Sequence, residues 1–175
     1  MSARSEARKR FIEQVQQALD EVEEALHALF EDPAARAEII HTSAVPEVVR
    51  GWASQPMLNW EGARKKCSSA TKSCFIGIRT RDIVCILSLI RVSKGGLLTK
   101  LLFLERDKTD DFLKGRGFVA IDVILDVIAA YFNSAQIVID KPLAQVVPYY
   151  EQHGYRTAKL VGRSVSMMAR PAKTR

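Results

Sequence analysis

The 175-residue sequence predicts an α/β protein of the α+β type: a mixed, mostly antiparallel sheet flanked by helices, with a long N-terminal amphipathic helix. Three observations carry this reading. Apolar residues at Phe11, Val15, Leu19, Val22, Leu26, Leu29 and Phe30 recur at helical spacing and draw one stripe. After Ser73 the runs CFIGIRT, DIVCILSLIRV and GLLTKLLFLER, rich in β-branched and aliphatic residues, are separated only by RTR and SKGG, which indicates an antiparallel meander. A helical run, VAIDVILDVIAAYF, then alternates with a short strand, AQIVID, so the strand reached by that crossover pairs in parallel.

Taken in order, the first helix turns Glu13, Gln17, Glu21 and Glu24 outward and stops at residues 31–33, because Pro33 disfavours helical geometry at Asp32. Its apolar stripe needs a groove on its own domain or on a second copy, which leaves a homodimer through the N-terminal helix open. PAARAEIIH reads as a short second helix, VPEVVRGWA as a helix turn or a strand, and EGARKKCSSATKS as a polar connection. The loop DKTDDFLKGRGF leads into the helix marked by Ile121, Ile124, Leu125, Ile128 and Phe132. PLAQVVPYYEQH reads as a helix kinked or started late at Pro148 and ended by Gly154, and YRTAKLV and RSVSMMA are two further strand-like runs. The expected organisation is a single domain over 1–175, with a helical N-terminal segment over 1–40 and a core over 73–170.

Composition narrows the classes. No stretch of about 18 uncharged apolar residues exists, and MSARSEARKRFIEQ lacks the apolar centre of a secretory signal, so a cytoplasmic protein without a membrane partner is expected. Cys67, Cys74 and Cys85 form no CxxC pair, which argues against a disulfide framework and against a metal site; Cys74 and Cys85 read as small core residues. The net charge of +6 is concentrated in ARKKCSSATK and in the tail from Tyr155 to Arg175. That asymmetry keeps nucleic acid, a phosphate-rich cofactor or an acidic partner open, although no interleaved aromatics favour stacking on bases.

Two stretches carry chemistry. KGRGFV, at 114–119, is a Gly-bearing loop running into a helix N-terminus, where unpaired N–H groups and the positive end of the dipole suit a pyrophosphate. Gly115 and Gly117 permit close approach, and Lys114 and Arg116 add charge. In VVPYYEQHGY, at 146–155, Tyr150 shares a stripe with Leu143, Val146 and Val147 and so faces the sheet, whereas Tyr149 aligns with Gln145 and His153 on the wetter side.

Over roughly residues 73–170, this order of elements and these two stretches resemble the GNAT acyltransferase superfamily. KGRGFV is similar to its Gln/Arg-x-x-Gly-x-Gly/Ala loop, with Lys114 at the first position, Gly117 matching and Val119 replacing the final small residue. VVPYYEQHGY is similar to its Val-Pro-Phe-Tyr-Glu-x-x-Gly-Phe signature, which places the family's tyrosine at Tyr150. The resemblance implies acetyl-CoA, or another acyl-CoA, as cosubstrate of an N-acyltransferase with an amine acceptor that the sequence does not identify. It implies a cofactor site made of Phe103, Leu104, Lys114, Gly115, Arg116, Gly117, Phe118 and Val119, in which backbone near Phe103 to Glu105 polarises the carbonyl and Tyr150 protonates the departing thiolate. Acyl transfer also calls for a base, for which Glu105, at a strand end, is the first candidate and Asp140 the second. Nothing before residue 33 is strand-like, so the superfamily's first strand is expected to be missing, displaced or replaced by the N-terminal helix. That gap, Val119 and the basic C-terminus motivate the alternative of a degenerate GNAT-like fold acting as a protein- or nucleic-acid-binding regulatory module.

Overall fold

A computed structural model describes residues 2–173. The chain opens with two helices, α1 (Ala3–Glu21) and α2 (Glu23–Phe30), rather than one, with a break at Val22. Ser2 caps α1 by accepting the Ser5 N–H at 3.2 Å, and Glu31, at φ 51°, ends α2. The chain then forms β1 (Arg36–Ile40), α3 (Val45–Arg50) and α4 (Trp60–Ser68), and the meander β2 (Ser73–Thr80), β3 (Ile83–Val92) and β4 (Leu98–Arg106). Helix α5 (Arg116–Tyr131) crosses to β5 (Gln136–Asp140), and α6 (Val147–Gln152) leads to the hairpin β6 (Arg156–Val161) and β7 (Ser164–Pro171). The seven strands lie in the order β1-β2-β3-β4-β5-β7-β6, with β4 and β5 parallel and every other pair antiparallel. This is the mixed sheet that the crossover predicts.

Three expectations change. PAARAEIIH is not a helix: Arg36–Ile40 pairs with β2, from Arg36 opposite Arg79 to Ile40 opposite Phe75. A first strand, expected to be missing, displaced or replaced by the N-terminal helix, is present after the two N-terminal helices, and the helical segment ends at Phe30 rather than near residue 40. Glu38 belongs to a strand because Arg79, on the neighbouring one, grips it through Nε at 2.9 Å and Nη2 at 2.6 Å, a pairing no helical pattern contains. EGARKKCSSATKS is likewise no mere connection. Asn59 caps α4 by accepting the Gly62 N–H at 2.9 Å, and Trp60, Ala63 and Cys67 bury one face of that helix.

The sheet is covered on both sides. Phe11, Val15 and Leu19 of α1 join Ile121, Leu125 and Ile128 of α5 on one face, over Cys74, Ile76, Ile86 and Ile90. Trp52, Trp60, Val45 and Ala63 cover the other, against Phe75, Leu87 and Leu89. The apolar stripe of α1 is therefore held by its own domain and is not a free pairing surface. No helix among the described residues is long and apolar enough to cross a membrane.

The centre of the sheet is irregular. β5 pairs with β4 only from Leu98 opposite Gln136 to Leu101 opposite Ile139, while β4 runs on to Arg106. On its other side β4 carries one extra residue, Leu102, because Ile90 faces Leu101 and Leu89 faces Phe103. Such a bulge bends the strand and re-aims the side chains that follow it.

Candidate functional site

Where β4 leaves β5, a groove of about 550 Å³ opens, with the start of α5, the turn into α6 and the loop before α4 as its walls. Leu104, Lys114, Gly115, Gly117 and Phe118, all expected at a cofactor site, line it; Phe103, Arg116 and Val119 do not. The bulge at Leu102 sends the Phe103 ring to the opposite face, 5.9 Å from Trp60. Arg116 turns back to α2: its Nε donates to the Leu29 carbonyl at 3.2 Å, its Nη1 to the Phe112 carbonyl at 2.9 Å, and the guanidinium lies 4.1 Å from the Phe112 ring. Val119 is half-buried outside the lining.

The start of α5 suits an anion. Gly115 sits at φ 77°, a backbone conformation that disfavours side chains, and the helix has neither a side-chain cap nor an acidic residue in its first turn. Among the described residues, no side chain caps its first amides and no acidic residue in its first turn meets the positive end of its dipole.

Helix α6 begins late, at Val147 with Pro148 in its first turn, as expected from a proline that cannot sit deeper in a helix. Leu143 consequently lies off the helix and is 48% exposed at the groove mouth, so it is not part of a buried stripe. Tyr150 nevertheless lines the groove, with its ring centroid 4.8 Å from Phe118. Its hydroxyl makes no hydrogen bond to any described residue, and burial, followed by the neighbouring Tyr149, pushes its pKa up to about 12. It is a protonated, unengaged acid throughout the neutral range. Tyr149 lines the groove too and does not sit apart on the wet side: its hydroxyl donates to the Gly115 carbonyl at 3.1 Å, tying α6 to the loop that starts α5.

Glu105 lines the groove with both carboxylate oxygens engaged. They accept the Met57 N–H at 2.6 Å, the Leu58 N–H at 3.1 Å and the Trp60 indole N–H at 2.9 Å. Two residues on, Asp107 accepts the N–H groups of Ala53, Ser54 and Thr109 at 3.0, 3.2 and 3.1 Å. Burial works against its charge, yet these amides and the Thr109 and Ser54 hydroxyls hold its pKa down at about 2. Two carboxylates at the end of β4 thus fasten the segment between α3 and α4 along one wall of the groove. Asp140 ends β5 outside the lining.

One constellation was not foreseen. Arg170, from the basic tail, is buried and donates from Nη2 to Asp122 and from Nη1 to Asp126, each at 2.8 Å. Burial lowers its hold on the proton, but the two carboxylates more than restore it. Asp122 also accepts the hydroxyl of the fully buried Tyr155 at 2.6 Å, and the Tyr155 N–H donates to the Tyr150 carbonyl at 3.2 Å. The available signal was the pair of aspartates one turn apart inside the otherwise apolar run VAIDVILDVIAAYF. The last two residues of the tail, Thr174 and Arg175, lie outside the described residues.

No protein-family model matches the sequence, and no curated protein matches it. Solved structures match it by fold. An acetyltransferase of the GNAT family from Staphylococcus aureus Mu50 superposes with a TM-score of 0.57 at 13% identity, covering 80% of this chain and 100% of that one. The ribosomal-protein-S18-alanine N-acetyltransferase from Escherichia coli gives 0.53 at 13% identity, over 81% of this chain and 96% of that one. The PaiA N-acetyltransferase from Thermoplasma acidophilum, in complex with coenzyme A, gives 0.53 at 11% identity, over 79% and 99%.

Proposed function

We propose that this chain, which has the GNAT fold, is an acyl-CoA-dependent N-acyltransferase that moves an acyl group, acetyl in the simplest case, from the coenzyme thioester to an amine. The observation that carries this reading is the Tyr150 hydroxyl, which stands unengaged in the groove opened by the parting of β4 and β5, across from the uncapped start of α5.

The pantetheine arm lies between the parted strands, where the main chain of β4 beyond Leu101 has no β5 partner. The first-turn amides of α5, with Lys114, take the pyrophosphate. Main chain at Phe103 and Leu104 polarises the thioester carbonyl, the nitrogen attacks, and Tyr150 protonates the departing thiolate. A phenol held at about 12 stays protonated at neutral pH, so the proton that the thiolate needs is present at that hydroxyl. Glu105 fastens the 57–60 segment; with three donors on its two oxygens it is poorly placed to receive a further proton.

Calorimetric titration of the full chain with acetyl-CoA tests the reading, and no heat of binding at millimolar ligand refutes it. If acetyl-CoA binds, Tyr150→Phe lowers kcat by roughly 100-fold with nearly unchanged coenzyme affinity. The wild-type rate should show no loss attributable to Tyr150 up to about pH 10, two units below its pKa of about 12; an unaltered rate in the variant removes Tyr150 from the mechanism.

A second reading, a GNAT-like binding module without turnover, is favoured by one observation: Arg116 is committed to Leu29 and Phe112, leaving Lys114 as the groove-lining cation of that loop. Coenzyme binding without thiol release from any acceptor would select it.

A further inference from the structure

The charge on the groove walls bears on which amine is accepted, an inference that rests on the acyltransferase reading. Of the lining side chains, one is acidic, Glu105, and three are basic, Arg106, Lys108 and Lys114. Glu105 is occupied by its three donors, and Arg106 donates through Nη1 to the carbonyls of Asp107 and Asp110 at 3.0 and 3.2 Å. Neither Lys108 nor Lys114 forms an ion pair with any described residue.

The two lysines belong to different walls. Lys114 is on the loop entering α5, where the coenzyme phosphates are proposed. Lys108 belongs to the opposite wall: its N–H donates to the Ser54 hydroxyl at 2.9 Å, and its ammonium touches the Met57 sulfur. Apolar residues line the same groove, with Met57 66% exposed and Leu143 48% exposed, and Leu58 and Val146 also in the lining.

We propose that the acceptor is a small amphiphilic amine carrying a carboxylate, the chemical class of the apolar α-amino acids, with its carboxylate on Lys108 and its apolar side chain against Met57 and Leu143. A polyamine, an aminoglycoside or a lysine-rich peptide would bring further positive charge into a groove lined by three basic side chains and by one carboxylate, Glu105, already held by three N–H donors. A carboxylated acceptor gains a charge-assisted hydrogen bond. The apolar part of the lining, Met57, Leu58, Leu143 and Val146, works against the charged form of the acceptor's ammonium and so favours the neutral nucleophile. The neutral nitrogen then bonds to the thioester carbonyl carbon and the C–S bond breaks. One nitrogen proton leaves to water, Tyr150 gives its proton to the thiolate and is reprotonated from water, so amine and thioester become amide and free thiol.

Free-thiol release from acetyl-CoA by the full chain, with leucine, methionine, leucinamide, spermidine and a lysine-rich peptide as acceptors, provides the test, alongside calorimetric binding of acetyl-CoA. Leucine and methionine should exceed leucinamide and spermidine in kcat/KM by roughly tenfold or more. Lys108→Glu should abolish or invert that ranking while acetyl-CoA affinity stays the same. Turnover of spermidine or the basic peptide at least as fast as the amino acids overturns the proposal. So does a ranking unmoved by Lys108→Glu, or coenzyme binding with no thiol release from the amino acids. Each of these leaves the acyl-CoA site standing, whereas failure of acetyl-CoA to bind removes the acyltransferase reading and this inference together.

Discussion

Replacing Arg170 with methionine tests the buried network most directly. The guanidinium is 6% exposed and holds two carboxylates that are themselves only 13% and 12% exposed, each at 2.8 Å. Removing it leaves Asp122 and Asp126 in low dielectric with little compensation, since the partners left to them are the Tyr155 hydroxyl on Asp122 and, on Asp126, the Lys173 N–H at 3.4 Å and its exposed ammonium at 3.2 Å. Breaking a buried ion pair from one side costs about 3–5 kcal/mol. With a urea m-value of roughly 2–3 kcal/mol/M, the unfolding midpoint should fall by about 1–2.5 M. Urea titration followed by far-UV circular dichroism reads this shift, provided the slope is unchanged. Adding Asp122→Asn and Asp126→Asn to Arg170→Met removes the stranded charges and should restore at least half of the loss. A midpoint shift of less than about 0.3 M, or a triple variant no more stable than the single one, would show that water, not protein, compensates these charges.

Two further perturbations address the periphery of the core and the wall of the groove. Asp107 is held at about 2 against an ordinary 3.8, so its contribution of about 2 kcal/mol is complete above about pH 5 and disappears as pH falls through 4 to 2. Denaturation curves between pH 2 and 6 should show that loss in the wild type and its absence in Asp107→Asn; parallel curves would contradict the assignment. Phe11→Ala, at a position 1% exposed between α1 and the rest of the core, should cost about 3–5 kcal/mol and lower the melting temperature by roughly 6–20 °C. A loss under about 1 kcal/mol would mean that α1 packs loosely on α5.

The sequence was most legible where one physical effect dominates. The α1 stripe, the meander and the α5 face are long periodic patterns whose partners lie in the same hydrophobic layer, so periodicity alone located them. β1 was misread because five residues with Glu38 among them satisfy a helical template as well as a strand, and the deciding contact, Arg79, lies on another strand. The same limit applies to α4, where the cap at Asn59 outweighs a polar composition. At the site, the spacing of Tyr150 to Val146, Val147 and Gly154 was enough to put it in the groove, whereas Leu143, read as part of the same stripe, lies at the mouth. The engagement of Glu105 by two amides and an indole N–H 45 to 48 residues away, and the withdrawal of Arg116 to Leu29, are long-range events with no local signature. Arg170 shows the converse: a residue counted with a basic surface proved interior, because two aspartates on α5 were waiting for it.

The short register between β4 and β5 also has a mechanical meaning. Four residue pairs join them, against seven between β3 and β4, so the sheet consists of two stiff panels, β1–β4 and β5-β7-β6, meeting at a compliant seam. α5 lies across that seam, and Arg170 bolts the second panel to it. Strain applied to the hairpin β6–β7 would therefore be relieved at the seam before it reached the meander. Amide exchange should follow the same division, with β5 and β7 opening as a unit at lower free energy than β2 and β3. The line along which this protein is easiest to pry apart is the line along which its groove lies.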